Sequence, residues 1–102
     1  SPRRLLDTRT QPRPAHAAQS FVVSLGDVVA AQVNVTATNT PSPGYMTVYP
    51  CMNDPIPTTS NVNFGALESA ANSTLMRPAR GYGCVWSSNR SDVIVDVFGV
   101  WS

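Results

Sequence analysis

Lysine is absent from this 102-residue chain, and glutamate and histidine occur once each. Charged residues make up only 13% against 42% hydrophobic, a balance that excludes both a disordered chain and a solvated helix bundle. No apolar run approaches the ~20 residues needed to span a membrane as a helix. The basic residues are all arginine. Arg3, Arg4, Arg9 and Arg13 gather near the start, but Pro2, Pro12, Pro14 and Asp7 interrupt them and the net charge is only +1. No basic face forms, so nucleic-acid binding is not expected. His16, the sole histidine, lies in a Pro/Ala-rich stretch with no nucleophile elbow near it. A Ser-His-Asp arrangement would have to use it. With no paired, activated groups the chain is not expected to be an enzyme, nor to carry a cofactor. The two cysteines, Cys51 and Cys84, form no CxxC and have no histidine nearby, which argues against a metal site.

What is present reads as strand after strand. Nine prolines and six glycines supply turns, and Val, Thr, Asn and Ser are plentiful. A short strand is expected at about 4–7, followed by an extended loop. Phe21-Val22-Val23-Ser24-Leu25 is the next strand. Val29, Ala31, Val33, Val35 and Ala37 then alternate with Gln32, Asn34, Thr36 and Thr38, the cleanest period-2 run in the chain. After the turn residues 39–44 come strands at 45–49, 60–64, 73–76, 84–87 and 92–100, with 66–71 read as a helical turn or a loop. Val93, Val95 and Val97 share a face of the last strand. Seven or eight short strands with regular turn signals predict an all-β fold, an antiparallel β-sandwich, as one domain over residues 1–102. Residues 1–19 are expected as an extended segment packing on its own sheet or on a neighbour's.

Cys51 and Cys84 are read as one structural disulfide. Closing a loop of that size contributes about 3–4 kcal/mol in the chain-entropy model, and such a bond implies an oxidising, extracellular compartment. Asp7, Asp92 and Asp96 are the carboxylates a hydrolase or a Ca²⁺ site would use. Asp7 lies beside Arg4 and Arg9, however, and the first and last strands are placed to pair. Asp7, Arg9 and Asp96 are therefore expected in a structural ion-pair network rather than at a metal.

The aromatics carry the better functional lead. Tyr45 and Tyr49 share one strand face, as do Tyr82 and Trp86. If Met46 and Val48 point into the core, Tyr45, Thr47 and Tyr49 point out and offer flat rings to a sugar or a protein partner. The opposite assignment buries the rings and leaves no platform. Asn34-Val35-Thr36, Asn72-Ser73-Thr74 and Asn89-Arg90-Ser91 match the glycosylation sequon.

Pro2-Arg3-Arg4-Leu5-Leu6-Asp7-Thr8-Arg9 resembles the opening of a β-domain family of secreted and cell-surface actinobacterial proteins. The likeness continues through Gln32–Asn39, Pro43–Cys51 and Ser60–Phe64, and closes at Asp92-Val93-Ile94-Val95-Asp96-Val97-Phe98-Gly99, covering nearly the whole chain in order. The family's usual ending places an aromatic after the final glycine, where Val100-Trp101 stands here. The resemblance implies an accessory module of a surface or secreted protein, with no catalytic residues to carry over. No signal peptide opens the sequence, and Ser1 reads as the start of a mature product or an excised fragment. The expected function is a secreted, non-catalytic module that binds cell-envelope glycan or another extracellular polymer through Tyr45, Tyr49, Trp86 and, more weakly, Tyr82. The alternative is a structural repeat or subunit of a stalk, filament or adhesin that assembles through protein–protein contacts.

Overall fold

A computed structural model describes residues 3–10, 19–51 and 60–102. Eight strands are found there: β1 (Arg3–Asp7), β2 (Gln19–Ser24), β3 (Ala30–Thr38), β4 (Gly44–Pro50), β5 (Val62–Phe64), β6 (Ala70–Met76), β7 (Tyr82–Ser87) and β8 (Asp92–Trp101). They form two four-stranded antiparallel sheets, ordered β1-β8-β3-β6 and β2-β7-β4-β5, packed as a sandwich. Of the extended segment expected at 1–19, residues 11–18 with Arg13 and His16 lie outside the described residues.

The alternation in β3 sets the architecture. Ala31, Val33, Val35 and Ala37 are wholly buried, while Gln32, Asn34, Thr36 and Thr38 face outward, as a period of two requires. β3 pairs with β8 in a register that sets Val33, Val35 and Ala37 opposite Val97, Val95 and Val93. These valines and Ala37 pack side by side on the pleated inner face. The other sheet answers with Val23, Met46, Val62, Phe64 and Val85 in the same core. Met46 and Met76, one from each sheet, are fully buried, and truncating either to alanine is expected to cost about 2–5 kcal/mol. Gly83 on β7 is small for a spatial reason: a Cβ there would collide with the Met76 side chain from the opposite sheet.

Several boundaries differ from the sequence expectation. β6 begins at Ala70 rather than Ser73, because Ala70 and Ala71 pair with Ala37 and Thr36 despite their low β-propensity; tertiary pairing overrides local preference. β7 starts at Tyr82, two residues early, because Tyr82 and Gly83 pair with Ser24 and Val23. β5 is only three residues long. Val29 does not continue the buried face of β3; it precedes the strand and is exposed.

The disulfide joins Cys51, just past β4, to Cys84 on β7, with Cα atoms 5.1 Å apart. It therefore links neighbouring strands of one sheet rather than the two sheets.

Candidate functional site

The strands β2, β4, β5 and β7 contain no charged residue. Their inner side chains fill the core, so the alternate positions define an uncharged outer face of polar and aromatic residues, with Val22 exposed among them. Register places Ser20 opposite Trp86, and Trp86 opposite Thr47. In the next row on the same face, Val22 stands opposite Cys84, and Cys84 opposite Tyr49. Tyr82, at the start of β7, is opposite Ser24.

Three of the four aromatics form one group. Tyr45 and Trp86 are both half-buried, with ring centroids 5.6 Å apart and planes inclined at 54°. Tilted geometry of this kind suits the ring quadrupoles. Tyr45 is pinned by two reciprocal bonds: its N–H donates to the Ser88 hydroxyl, and the Ser88 N–H donates to its carbonyl, each at 2.9 Å. Tyr49 lies on the outer face but is only 7% exposed, packed with Cys51, Cys84 and Trp86. Its hydroxyl shares a 2.7 Å hydrogen bond with Ser20. The expectation of Tyr49 as an exposed ring is thus corrected: the disulfide and the indole draw it down against the sheet, where it supports Trp86. Tyr82 is exposed and stands at the other end of β7, two positions beyond Cys84. Thr47 is completely buried on this face between the two outward tyrosines of β4.

The outer face of the other sheet is built differently. Arg4 grips Asp96 with two donors, Nε to Oδ1 at 2.9 Å and NH2 to Oδ2 at 3.3 Å, and reaches Asp7 with NH1 at 3.1 Å. Arg9 closes on Asp7 from the other side through Nε at 2.9 Å, NH2 at 2.8 Å and its backbone N–H at 3.1 Å. Hydrogen bonds from the Arg9 guanidinium lower the Asp7 carboxyl to about 2, with further lowering from its backbone N–H and from the charges of Arg9 and Arg4, against a smaller opposing effect of desolvation. The Arg4 and Arg9 guanidiniums are raised in turn, chiefly by hydrogen bonds to Asp96 and Asp7. A carboxylate held this way has neither the proton affinity of a general base nor free oxygens for a cation. Asp92 is engaged as well. Its Oδ1 accepts from the Thr8 hydroxyl and its Oδ2 from the Asn39 amide, each at 2.8 Å, while the Val93 N–H donates to Thr8 Oγ1 at 2.8 Å. Nothing in the local sequence of Thr8 marks this role; only its burial reveals it.

Among the described residues no group of three or more His, Cys, Asp or Glu side chains is placed to hold a metal ion. Among the same residues no helix is long and apolar enough to cross a membrane. No family model, curated protein or solved structure matches the chain.

Proposed function

We propose that this domain is a non-catalytic extracellular module that binds a neutral glycan of the cell envelope or another uncharged polysaccharide on the outer face of the β2-β7-β4-β5 sheet. The observation that carries the reading is the half-buried Tyr45–Trp86 pair on a face whose strands hold no charge. Sugar rings present flat C–H surfaces that stack on aromatic faces, and their hydroxyls exchange hydrogen bonds with Ser and Asn side chains. Ser20 and Asn63 supply such groups beside the rings. An antiparallel sheet with one face in the core leaves the other free for this use. The Cys51–Cys84 disulfide fits an oxidising, extracellular setting. Absence of charge on this face favours a neutral polymer over the anionic one that the arginine-rich start would suit; of the three described arginines of that segment, Arg4 and Arg9 are closed on Asp96 and Asp7 and Arg3 lies on the other sheet.

The test is sedimentation of the oxidised domain with washed actinobacterial cell walls, insoluble cellulose and chitin. Saturable binding to one of them, lost in Tyr45→Ala and Trp86→Ala and insensitive to salt, supports the reading; no binding to any of them rejects it.

A second reading rests on a different observation. Phe98, Val100 and Trp101 at the end of β8 are all about half exposed, and Val29, whose N–H donates to the Trp101 carbonyl, is exposed beside them. Exposed apolar residues gathered this way favour a structural subunit that assembles through this end. Sedimentation velocity over a hundredfold concentration range tests it: a strictly monomeric domain contradicts it.

A further inference from the structure

At one end of the sandwich the turns after β3, β5 and β7 line a solvent-open cavity of about 590 Å³, within the size range of small-ligand sites. It lies over the end of β3, with Leu67, Glu68 and Ser69 on the β6 side and Arg90 and Asp92 on the β8 side. This is a separate place from the Tyr45–Trp86 face, and the inference does not depend on that reading.

Several polar groups of the cavity wall are already committed. Both Asp92 oxygens accept internal donors. The Thr40 hydroxyl donates to the Gly65 and Glu68 carbonyls at 2.7 and 3.0 Å. The Thr38 and Ser69 hydroxyls bond each other at 2.6 Å. Two charged groups remain available. Arg90 is exposed and has no ion pair among the described residues. Glu68 uses Oε1 to accept the Gly65 N–H at 3.1 Å and keeps Oε2 to offer. The cavity therefore presents one cation and one anion on opposite walls.

Next to Glu68 stands an apolar side chain held at a cost. Leu67 is 89% exposed and sits at φ 59°, in the left-handed region that a non-glycine residue rarely occupies. The turn does not relax, because the Leu67 N–H donates to the buried Thr40 carbonyl at 2.6 Å. Asn39, which also lines the cavity, is at positive φ too, 55°. Strain held by a hydrogen-bonded turn, displaying a large apolar group to solvent beside a cavity, is the pattern of a binding loop.

The geometry points to a binding site for a small zwitterion with an apolar body, its carboxylate on Arg90, its ammonium on Glu68 and its hydrocarbon against Leu67. Arg90 supplies planar, two-donor recognition of a carboxylate. Free amino acids and ω-amino acids share this chemistry and differ in the distance between their charges.

The test uses the oxidised domain, with amide chemical shifts followed by NMR during titration with 6-aminohexanoate, L-leucine, hexanoate and hexylamine. The expected result is saturable shifts at residues 38–40, 67–69 and 90–92. One of the two zwitterions binds at least tenfold tighter than hexanoate or hexylamine, and which one does reports the charge spacing. Arg90→Gln and Glu68→Gln each abolish the advantage of the zwitterion while leaving the spectrum folded; glutamine at 68 retains an acceptor for the Gly65 N–H. Leu67→Asn, which tolerates the left-handed backbone, keeps or raises Tm and weakens binding several-fold. Absence of saturable shifts with all four probes overturns the proposal, as does equal binding of hexanoate and both zwitterions to the parent domain.

Discussion

The two outer faces of this sandwich are held by opposite chemistries. On β1-β8-β3-β6 every strand charge belongs to β1 or β8, and Arg4, Asp7, Arg9 and Asp96 tie the first strand to the last across some 90 positions of sequence. On β2-β7-β4-β5 there is no strand charge, and the tie between β4 and β7 is covalent. The difference separates two tasks. Ion pairs between an edge strand and its neighbour tie β1 to β8 and engage the charges of Arg4, Asp7, Arg9 and Asp96 with one another. The disulfide stiffens a sheet without placing charge on it, so Tyr49 lies down against the sulfur atoms and Tyr45 and Trp86 stand over a dry, neutral floor.

The largest effect that would break this comparison is loss of the covalent tie. Reduction, or the double substitution Cys51→Ala and Cys84→Ala, is expected to lower stability by about 3–4 kcal/mol and Tm by on the order of 15–25 °C, read by circular dichroism with and without reductant. An unchanged Tm would show that the aromatic face is held by packing alone. Next in size is Trp86→Ala, expected to weaken glycan binding at least tenfold while leaving the fold intact, with Tyr82→Ala much milder because Tyr82 stands apart from the pair. Equal losses would spread the site along the whole of β7.

On the charged face the effect is one of pH. The Asp7 carboxyl is lowered to about 2 from its ordinary 3.8. A depressed value in the folded state means that the native form favours the ionised carboxylate. The stabilisation is therefore complete above the unfolded value and lost as pH falls from about 4 through 2. Tm measured between pH 5 and pH 2 should fall less steeply in Asp7→Asn than in the parent; parallel profiles would show that other carboxylates govern acid unfolding. The smallest effect is expected from Arg4→Gln, since exposed ion pairs are weak and screened: a slight drop in Tm at low salt that vanishes at high salt.

Much of the architecture was legible in the residues because period 2 is a strong signal where one face is dry. β3, a central strand of its sheet, is also the cleanest alternation, and its neighbour β8 sets Val93, Val95 and Val97 on one face. The pattern failed where pairing overrode propensity, as at Ala70 and Ala71, and where a valine stood just before its strand, as at Val29. For the aromatics, alternation set Tyr45 with Tyr49, and Tyr82 with Trp86, on common strand faces, and left open whether those faces point into the core. It carries no information on the height of a ring above that sheet, and so could not separate the covered Tyr49 from its half-buried neighbours. The acidic residues show the same limit. Asp7 between two arginines is visible in the sequence, whereas the bond from Thr8 to Asp92 spans 84 positions and leaves no local trace. Least legible is the turn at Leu67: nothing in Gly65-Ala66-Leu67-Glu68 announces a left-handed leucine, because its conformation is imposed by Thr40 from another loop.

The central claim, that the uncharged aromatic face is the one that binds glycan, is tested most directly by giving each of the two tryptophans its own signal. The Trp101→Phe variant reports on Trp86 alone, and Trp86→Phe on Trp101 alone. Both are titrated with cello- and chito-oligosaccharides while indole fluorescence is followed. A saturable change is expected in the Trp101→Phe variant and none in Trp86→Phe. A saturable change confined to Trp101, or none in either variant, would contradict it and move the binding surface to the exposed end of β8 or away from glycans altogether.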